Sequence, residues 1–189
     1  MNQHLTFVMP LGVGRDVELA VTVLIPSLLF YCNLENARVC IIIKKKYIDL
    51  FHRYVKKTNL DITLVNIEII DEMELIDTTN IYLTYYLQML LKLLIAKRIK
   101  TDYYITLDAD LYFCKPCDST FFFGDKAYYI SKPKKDKWNK RVEDALDIKL
   151  DIITNQTPFV FKTELVRKML TDLDVVQLIL TNKCTEYSL

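Results

Sequence analysis

The segment at residues 103–113 reads YYITLDADLYF. Its first five residues, Tyr103 to Leu107, are almost wholly apolar, which is typical of a strand that is covered on both faces in a parallel sheet. Asp108 and Asp110 follow at the carboxyl end of that strand. In open parallel sheets, ligands bind outside the carboxyl ends of the strands. The segment therefore predicts a buried strand that delivers two carboxylates to a ligand site.

The sequence on either side of this segment alternates strand-like and helix-like stretches, as βαβ units do. The predicted strands are Leu5 to Pro10, Arg38 to Ile43, Ile62 to Ile69, Tyr103 to Leu107, Ala127 to Ser131 and Pro158 to Phe161. The predicted helices are Asp16 to Tyr31 with a kink near Pro26, Tyr47 to Lys57, Tyr82 to Ile99, Lys137 to Leu146 and Glu164 to Leu173. This order predicts an α/β fold, a three-layer α/β/α sandwich on a mostly parallel sheet. We expect residues 1–189 to form a single domain.

The composition excludes several classes of protein. With 25 basic and 24 acidic residues, the chain has no overall field that would attract nucleic acid or an anionic membrane. The longest nearly uncharged stretch, Leu19 to Cys32, is shorter than the roughly 20 apolar residues of a membrane span, so we expect no transmembrane segment. The five cysteines are an odd number scattered along the chain, which indicates a reducing compartment such as the cytoplasm. Oligomeric state is not indicated.

Asp108 and Asp110 repel each other in one loop unless a cation or a hydrogen-bond donor separates them. A hard divalent ion, Mg²⁺ or Mn²⁺, resolves that repulsion and shares one or two carboxylates with substrate phosphates. Such an ion neutralises the charge that develops when a sugar–phosphate bond breaks. The alternative is that the two aspartates only cap a turn or a helix.

Two further groups of residues are candidates for ligand contacts. Gln88 and Lys92 lie one helical turn apart and share a helix face, although an exposed polar stripe gives the same pattern. The loop at residues 11–16, LGVGRD, holds two of the three glycines, which suits close approach of the backbone to a ligand. A tight turn explains that loop equally well, since a lone Gly-x-Gly is not a dinucleotide fingerprint.

These motifs resemble those of the DxD-bearing GT-A glycosyltransferases, and most closely a bacterial and viral group of uncharacterised members. The resemblance is carried by YLQMLLKL at residues 86–93, TDYY at 101–104, LDAD at 107–110 and KP at 115–116. In that family a Gln-x-x-x-Lys helix precedes the DxD strand. The resemblance is strong over residues 80–118 and holds in outline elsewhere, including TEY at residues 185–187.

The resemblance implies a GT-A fold and a transferase that moves a sugar from a nucleotide-diphosphate donor to a glycan, protein or lipid acceptor. It implies that Asp110 is the main ligand of Mn²⁺ or Mg²⁺, and that Asp108 contacts the donor ribose, or the ion through water. Lys92 would meet the diphosphate or orient Asp108, and Gln88 would hydrogen-bond the donor sugar. The location would be the cytoplasm, or the host cytoplasm for a viral chain.

Other positions follow from the same resemblance. The loop after the first strand would receive the nucleotide base, which makes Pro10, Gly12 and Arg15 candidate binding residues. Glu186 is a candidate general base or acceptor-binding group. It lies three residues before the end of the sequence, where relatives usually continue, so a frayed terminal residue and a catalytic domain that is short at its C-terminal end are the alternative. The family's late histidine ligand has no counterpart, because the histidines are His4 and His52.

Three rival interpretations stay open. A haloacid-dehalogenase type of phosphatase would use Asp108 as its nucleophile, although that motif normally sits on the first strand and continues with Thr or Val. The spacing of Cys114 and Cys117 is that of a redox motif or half a zinc site, whereas two structural cysteines in a turn give the same spacing. Finally, the fold can persist as a nucleotide-sugar binding module without catalysis.

Overall fold

The computed structural model describes residues 5–32, 37–77, 84–118, 121–122 and 157–172. Within these ranges the chain forms one five-stranded sheet in the order β3-β2-β1-β4-β5. Neighbouring strands are parallel except β4 and β5, which are antiparallel. The strands are β1 (Thr6–Leu11), β2 (Arg38–Ile43), β3 (Asn66–Asp71), β4 (Tyr103–Thr106) and β5 (Phe159–Lys162).

Helices cover both faces of this sheet. They are α1 (Gly14–Leu19), a π-helical segment (Ala20–Leu24), α2 (Ile25–Tyr31), α3 (Ile48–Thr58), α4 (Thr84–Leu94) and α5 (Thr163–Asp172). Short 3-10 turns span Lys45–Tyr47, Ile62–Leu64, Glu72–Glu74 and Ile95–Lys97. Helices α1 to α3 pack on one face of the sheet, and α4 with α5 on the other. The predicted three-layer α/β/α sandwich on a mostly parallel sheet is therefore confirmed.

The central strand β1 explains why two helical layers are needed. Every residue of β1 is buried. Phe7 and Met9 pack in the core under α1 to α3, whereas Val8 packs in the core under α4 and α5. A strand with apolar side chains on both faces is stable only when helices cover both of them.

The connections place a crevice between β1 and β4. From β1 the chain passes through α1 and α2 to β2 on one side, whereas α4 leads to β4 on the other side. Phe7 pairs with Ile105 and Val8 with Thr106, and the Leu107 amide donates to the Val8 carbonyl over 2.9 Å. Such a reversal of strand order opens a ligand crevice at the carboxyl ends of the two strands. The acidic segment that follows β4 starts at this crevice.

Local boundaries differ from the predictions in places that have a physical reason. The predicted strand Ile62 to Ile69 is wrong at its start: residues 62–64 form a 3-10 turn, because the Asp61 carboxylate accepts from the Thr63 amide over 3.0 Å and stabilises a turn. The predicted helix Tyr82 to Ile99 is α-helical only to Leu94. Near Pro26, a π-helical segment ends at Leu24. Proline lacks the amide that would continue the regular ladder.

Two predicted elements lie outside the described residues, namely the strand Ala127 to Ser131 and the helix Lys137 to Leu146. In the part of the chain that the structure describes, no helix has both the length and the apolarity needed to cross a membrane.

The Tyr104 hydroxyl joins β4 to α4 by donating to the Lys92 carbonyl over 2.8 Å in the buried core. We expect Tyr104→Phe to lower the free energy of unfolding by about 1 kcal/mol, the usual net value of one such bond. Urea denaturation measures this change. Tyr112→Phe is the matched control, because Tyr112 is exposed and its variant should keep the parent midpoint. Equal midpoints for all three proteins would contradict the assigned bond.

Candidate active site at the carboxyl ends of β1 and β4

A cleft of about 420 Å³ opens where β1 and β4 end. Pro10 contributes from β1, Arg15 and Asp16 from α1, Gln88 from α4, and Asp108 with Asp110 from the segment after β4. Five of the predicted site residues thus meet in one cleft: Pro10, Arg15, Gln88, Asp108 and Asp110. They come from segments far apart in the chain, and the order of the strands brings them together.

Lys92 lies directly behind the carboxylates. The residue is only 4% exposed, and its Nζ atom is 2.6 Å from Oδ1 of Asp108. For Lys92 the alternative of an exposed polar stripe is therefore wrong. An ammonium group at this depth requires a nearby negative charge. Of the two geometries that the resemblance implied for Lys92, the structure contains the one in which it holds Asp108.

The second oxygen of Asp108 is held by Thr157. The Thr157 hydroxyl donates to Asp108 Oδ2 over 2.6 Å. Both carboxylate oxygens of Asp108 thus have a partner, although its side chain is 42% exposed. No motif surrounds Thr157 in the sequence, so the sequence alone does not predict it as a site residue. The antiparallel pairing of Thr106 with Phe159 is the missing signal, since it places the residues before β5 beside those after β4.

Asp110 is placed differently from Asp108. It is exposed in the cleft, and no side chain in the described ranges pairs with it. The intervening Ala109 is buried, and the Leu111 amide donates to the Asp108 carbonyl over 3.2 Å, which turns the chain after β4. The two aspartates of the motif therefore have different environments, one held by the protein and one facing the cleft.

Asp16 organises the loop after β1. Its Oδ2 atom accepts from the backbone amides of Gly12 over 2.9 Å and Val13 over 3.1 Å. The Gln88 amide nitrogen lies 3.3 Å from the same oxygen. The loop is therefore a turn closed by a side chain at the start of α1, a common way to satisfy free amides there. Predicted ligand contacts of Gly12 and Gln88 stay predictions.

The second glycine of this loop has a packing reason. A Cβ atom on Gly14 would lie 3.4 Å from Leu50 Cδ2 and 3.8 Å from the Tyr47 ring. Both neighbours belong to the segment that begins α3. The small residue thus allows α1 to approach α3 closely, and it does not require a ligand.

The remaining predictions concern metal ligands and the C-terminal end. Glu186, within residues 185–187, lies outside the described residues. Among the residues that are described, no group of three or more His, Cys, Asp or Glu side chains could hold a metal ion. Cys114 is exposed and Cys117 is partly buried, and both are free thiols.

A model of the family described as "Family of unknown function (DUF6492)" matches residues 2–189. The chain belongs to this family. No curated protein matches this DUF6492 chain. Since the family's function is not established, the resemblance to GT-A glycosyltransferases stays a prediction.

One solved structure with some similarity to the DUF6492 chain is the crystal structure of 4-diphosphocytidyl-2C-methyl-D-erythritol synthase from Anaerococcus prevotii. The two are 12% identical, with a TM-score of 0.41 over 90% of this chain and 76% of that one. A similarity of this size does not bear on the activity of the DUF6492 chain.

The pairing of Lys92 with Asp108 predicts a large energetic coupling in the DUF6492 chain. Asp108→Asn leaves a buried ammonium without a counter-charge, which should cost about 2 kcal/mol. That is below the 3–5 kcal/mol of fully buried pairs because Asp108 is partly in solvent. In a Lys92→Met background, which removes that charge, the same change should cost much less. A double-mutant cycle by chemical denaturation measures the difference.

Asp110→Asn is the matched control for this cycle, because Asp110 is exposed and should contribute equally little in both backgrounds. If Asp108→Asn cost the same with and without Lys92, the ammonium would not depend on this carboxylate and the assigned pair would be incorrect.

Proposed function

We propose that this chain is a metal-dependent glycosyltransferase of GT-A type that moves a sugar from a nucleotide-diphosphate donor to an acceptor. The observation that carries the proposal is the exposed carboxylate of Asp110 in the cleft between β1 and β4, where the strand order reverses. It lies beside Asp108, whose two carboxylate oxygens already have partners. Ligands of open α/β sheets bind at such a point. An acidic group there needs a cation before it can accept an anionic donor.

The environments of the two aspartates support a division of roles. Lys92 and Thr157 fix Asp108, so we assign it to positioning and to hydroxyl or water contacts on the ligand. Asp110 is then the protein's metal ligand, with diphosphate oxygens and water as the others. Mn²⁺ and Mg²⁺ in phosphate-binding sites are commonly held by one or two carboxylates, substrate oxygens and several waters. Carboxylate oxygen in a water-accessible cleft fits that ligand set.

The charges of the cleft also suit a diphosphate. The acidic side chains at the cleft are Asp16, Asp108 and Asp110, and the basic ones are Arg15 at the cleft and Lys92 behind Asp108, so the formal charge is −1. A divalent ion makes this local sum positive, so a diphosphate anion is attracted only after the ion is present. When bound, the ion supplies charge stabilisation to the departing nucleoside diphosphate. Arg15, exposed at the cleft, adds a second positive group for phosphate.

Helix α4 and the loop after β1 offer contacts for the rest of the donor. Tyr85 lines the cleft and is 63% exposed, and an aromatic ring in such a position can stack on a nucleobase. Gln88 lines the same wall, where we propose a bond to a sugar hydroxyl. Pro10 and Gly12 would border the nucleotide, and Glu186 would act at the acceptor. The acceptor itself, whether glycan, protein or lipid, is left open by these contacts.

Thermal stability tests the metal and donor site. We expect a nucleoside diphosphate to raise the melting temperature only when Mn²⁺ is present, because a ligand that binds the native state stabilises it by about 2.7 kcal/mol at 100 times its Kd. Asp110→Asn should remove this shift. Asp49→Asn is the matched control, since Asp49 is an exposed carboxylate on α3 and should leave the shift unchanged. A parent-like shift in Asp110→Asn would show that the assigned ligand is incorrect.

Turnover separates the proposal from its rivals. Because water replaces the missing acceptor, we expect slow release of free sugar from a panel of nucleotide sugars with Mn²⁺. Asp110→Asn should lose that release. Release of phosphate from a phosphate ester without sugar release would instead support a phosphatase with Asp108 as nucleophile. Binding of nucleotide sugar without any turnover would support a binding module. Chromatography of the donor and its products measures all three outcomes.

A further inference from the structure

Cys32 and Cys117 are neighbours in the fold, although they are far apart in the chain. Their backbones form an isolated parallel β-bridge, in which the Cys117 amide donates to the Tyr31 carbonyl over 2.9 Å. Cys32 ends α2 with an extended backbone, so its side chain leaves the helix beside the segment that follows Asp110. Bridge partners have Cα atoms about 5 Å apart, which is within the range that a disulfide spans.

We propose that Cys32 and Cys117 are a modification site that closes to a disulfide by exchange with a small-molecule disulfide such as oxidised glutathione. The bond would tie the segment that carries Asp108 and Asp110 to helix α2. This proposal rests on the two thiols alone and is independent of what the cleft binds.

The packing selects this pair among the described cysteines. Cys32 belongs to the core under α1 to α3, and Cys117 packs against that core. Cys40 lies in the core on the opposite face of the sheet, where its thiol contacts Glu68. Cys114 shares the Cys-x-x-Cys spacing with Cys117 but is exposed, whereas Cys32 is the β-bridge partner of Cys117. The partner of Cys117 is therefore Cys32, which the spacing in the sequence does not suggest.

The thiols are protected in the reduced state. Burial raises the pKa of Cys32, and burial also raises the pKa of Cys117. At neutral pH both are therefore protonated, and only the thiolate attacks a disulfide. Cys117 is the more accessible of the two and is the entry point. We therefore expect the disulfide between the two cysteines to form slowly and to need a large excess of oxidised glutathione.

The exchange balances in two steps. The Cys117 thiol loses its proton to water, and the thiolate attacks one sulfur of oxidised glutathione, which releases one glutathione thiolate and leaves a mixed disulfide. The Cys32 thiol then loses its proton, and its thiolate attacks the Cys117 sulfur and releases the second glutathione thiolate; the two released thiolates take up the two protons. The protein loses two hydrogens and becomes oxidised, and one oxidised glutathione is reduced to two thiols.

The position of the bond gives it a structural consequence. The segment from Asp108 to Cys117 already contacts α2 at two points, through the Phe113 amide and Ser27 Oγ, 3.0 Å apart, and through Cys117 and Tyr31. A covalent link at its far end would hold the Asp110 segment against α2 when these bonds open. Cross-links restrict the unfolded chain, so the oxidised protein should melt at a higher temperature than the reduced one.

A variant with Cys114→Ser and Cys184→Ser tests the pair, because it keeps Cys32, Cys40 and Cys117. After incubation with excess oxidised glutathione, we expect the loss of two titratable thiols and of two hydrogens in the intact mass. Peptide mapping should locate the link between Cys32 and Cys117, and dithiothreitol should reverse it. Adding Cys32→Ser to this variant should abolish the intramolecular link and leave Cys117 as a mixed disulfide.

The unsubstituted chain provides the second arm. If its exposed Cys114 becomes glutathionylated while Cys32 and Cys117 stay reduced, the oxidant has acted and the proposal is overturned. A link between Cys114 and Cys117 in that chain, persisting after equilibration in a glutathione buffer, would equally overturn it. A rise in melting temperature that Cys32→Ser removes supports the link to α2.

Discussion

A buried ammonium group sets the most demanding condition in this structure. Lys92 is almost fully enclosed between α4 and the sheet, and it is tolerated there because the Asp108 carboxylate lies 2.6 Å away. The pair requires α4 and the end of β4 to keep a fixed distance, which the Tyr104 hydroxyl also enforces from the strand side. Thr157, which lies just before β5, donates to the same carboxylate and so connects β5 to this pair. Three elements of the described fold thus meet at one charge.

The sheet order makes this point a site as well as a structural joint. β1 and β4 are neighbours in space, and the chain leaves them in opposite directions, so their carboxyl ends border an open cleft. Because Lys92 and Thr157 hold Asp108 in place, the chain direction after β4 is fixed, and Asp110 is carried into that cleft. A ligand group in a fixed position binds a cation with less loss of freedom than a mobile one.

Much of the fold could be predicted from residues that repeat a pattern. The largely apolar β1 and β2 and the amphipathic α3 and α4 follow from period and burial, and these elements alone indicate a parallel sheet with two helical layers. The predictions failed where a local side-chain bond or the pairing of distant segments decided the structure. Asp61 turned a predicted strand start into a 3-10 turn through a bond two residues away. Thr157 joined the site only through antiparallel pairing across a long stretch of chain, which no local pattern records.

The acidic motif shows why a site can be recognised from sequence before its roles can be assigned. Asp108 and Asp110 look equivalent in the sequence, but neighbours that are distant in the chain make one a partner of a buried charge and leave the other exposed. Loss of Asp108 therefore combines a stability effect with any effect on ligand binding, whereas loss of Asp110 reports on binding alone. An inactive Asp108 variant would be weak evidence for metal ligation, and the proposed chemistry depends on how Asp110 behaves.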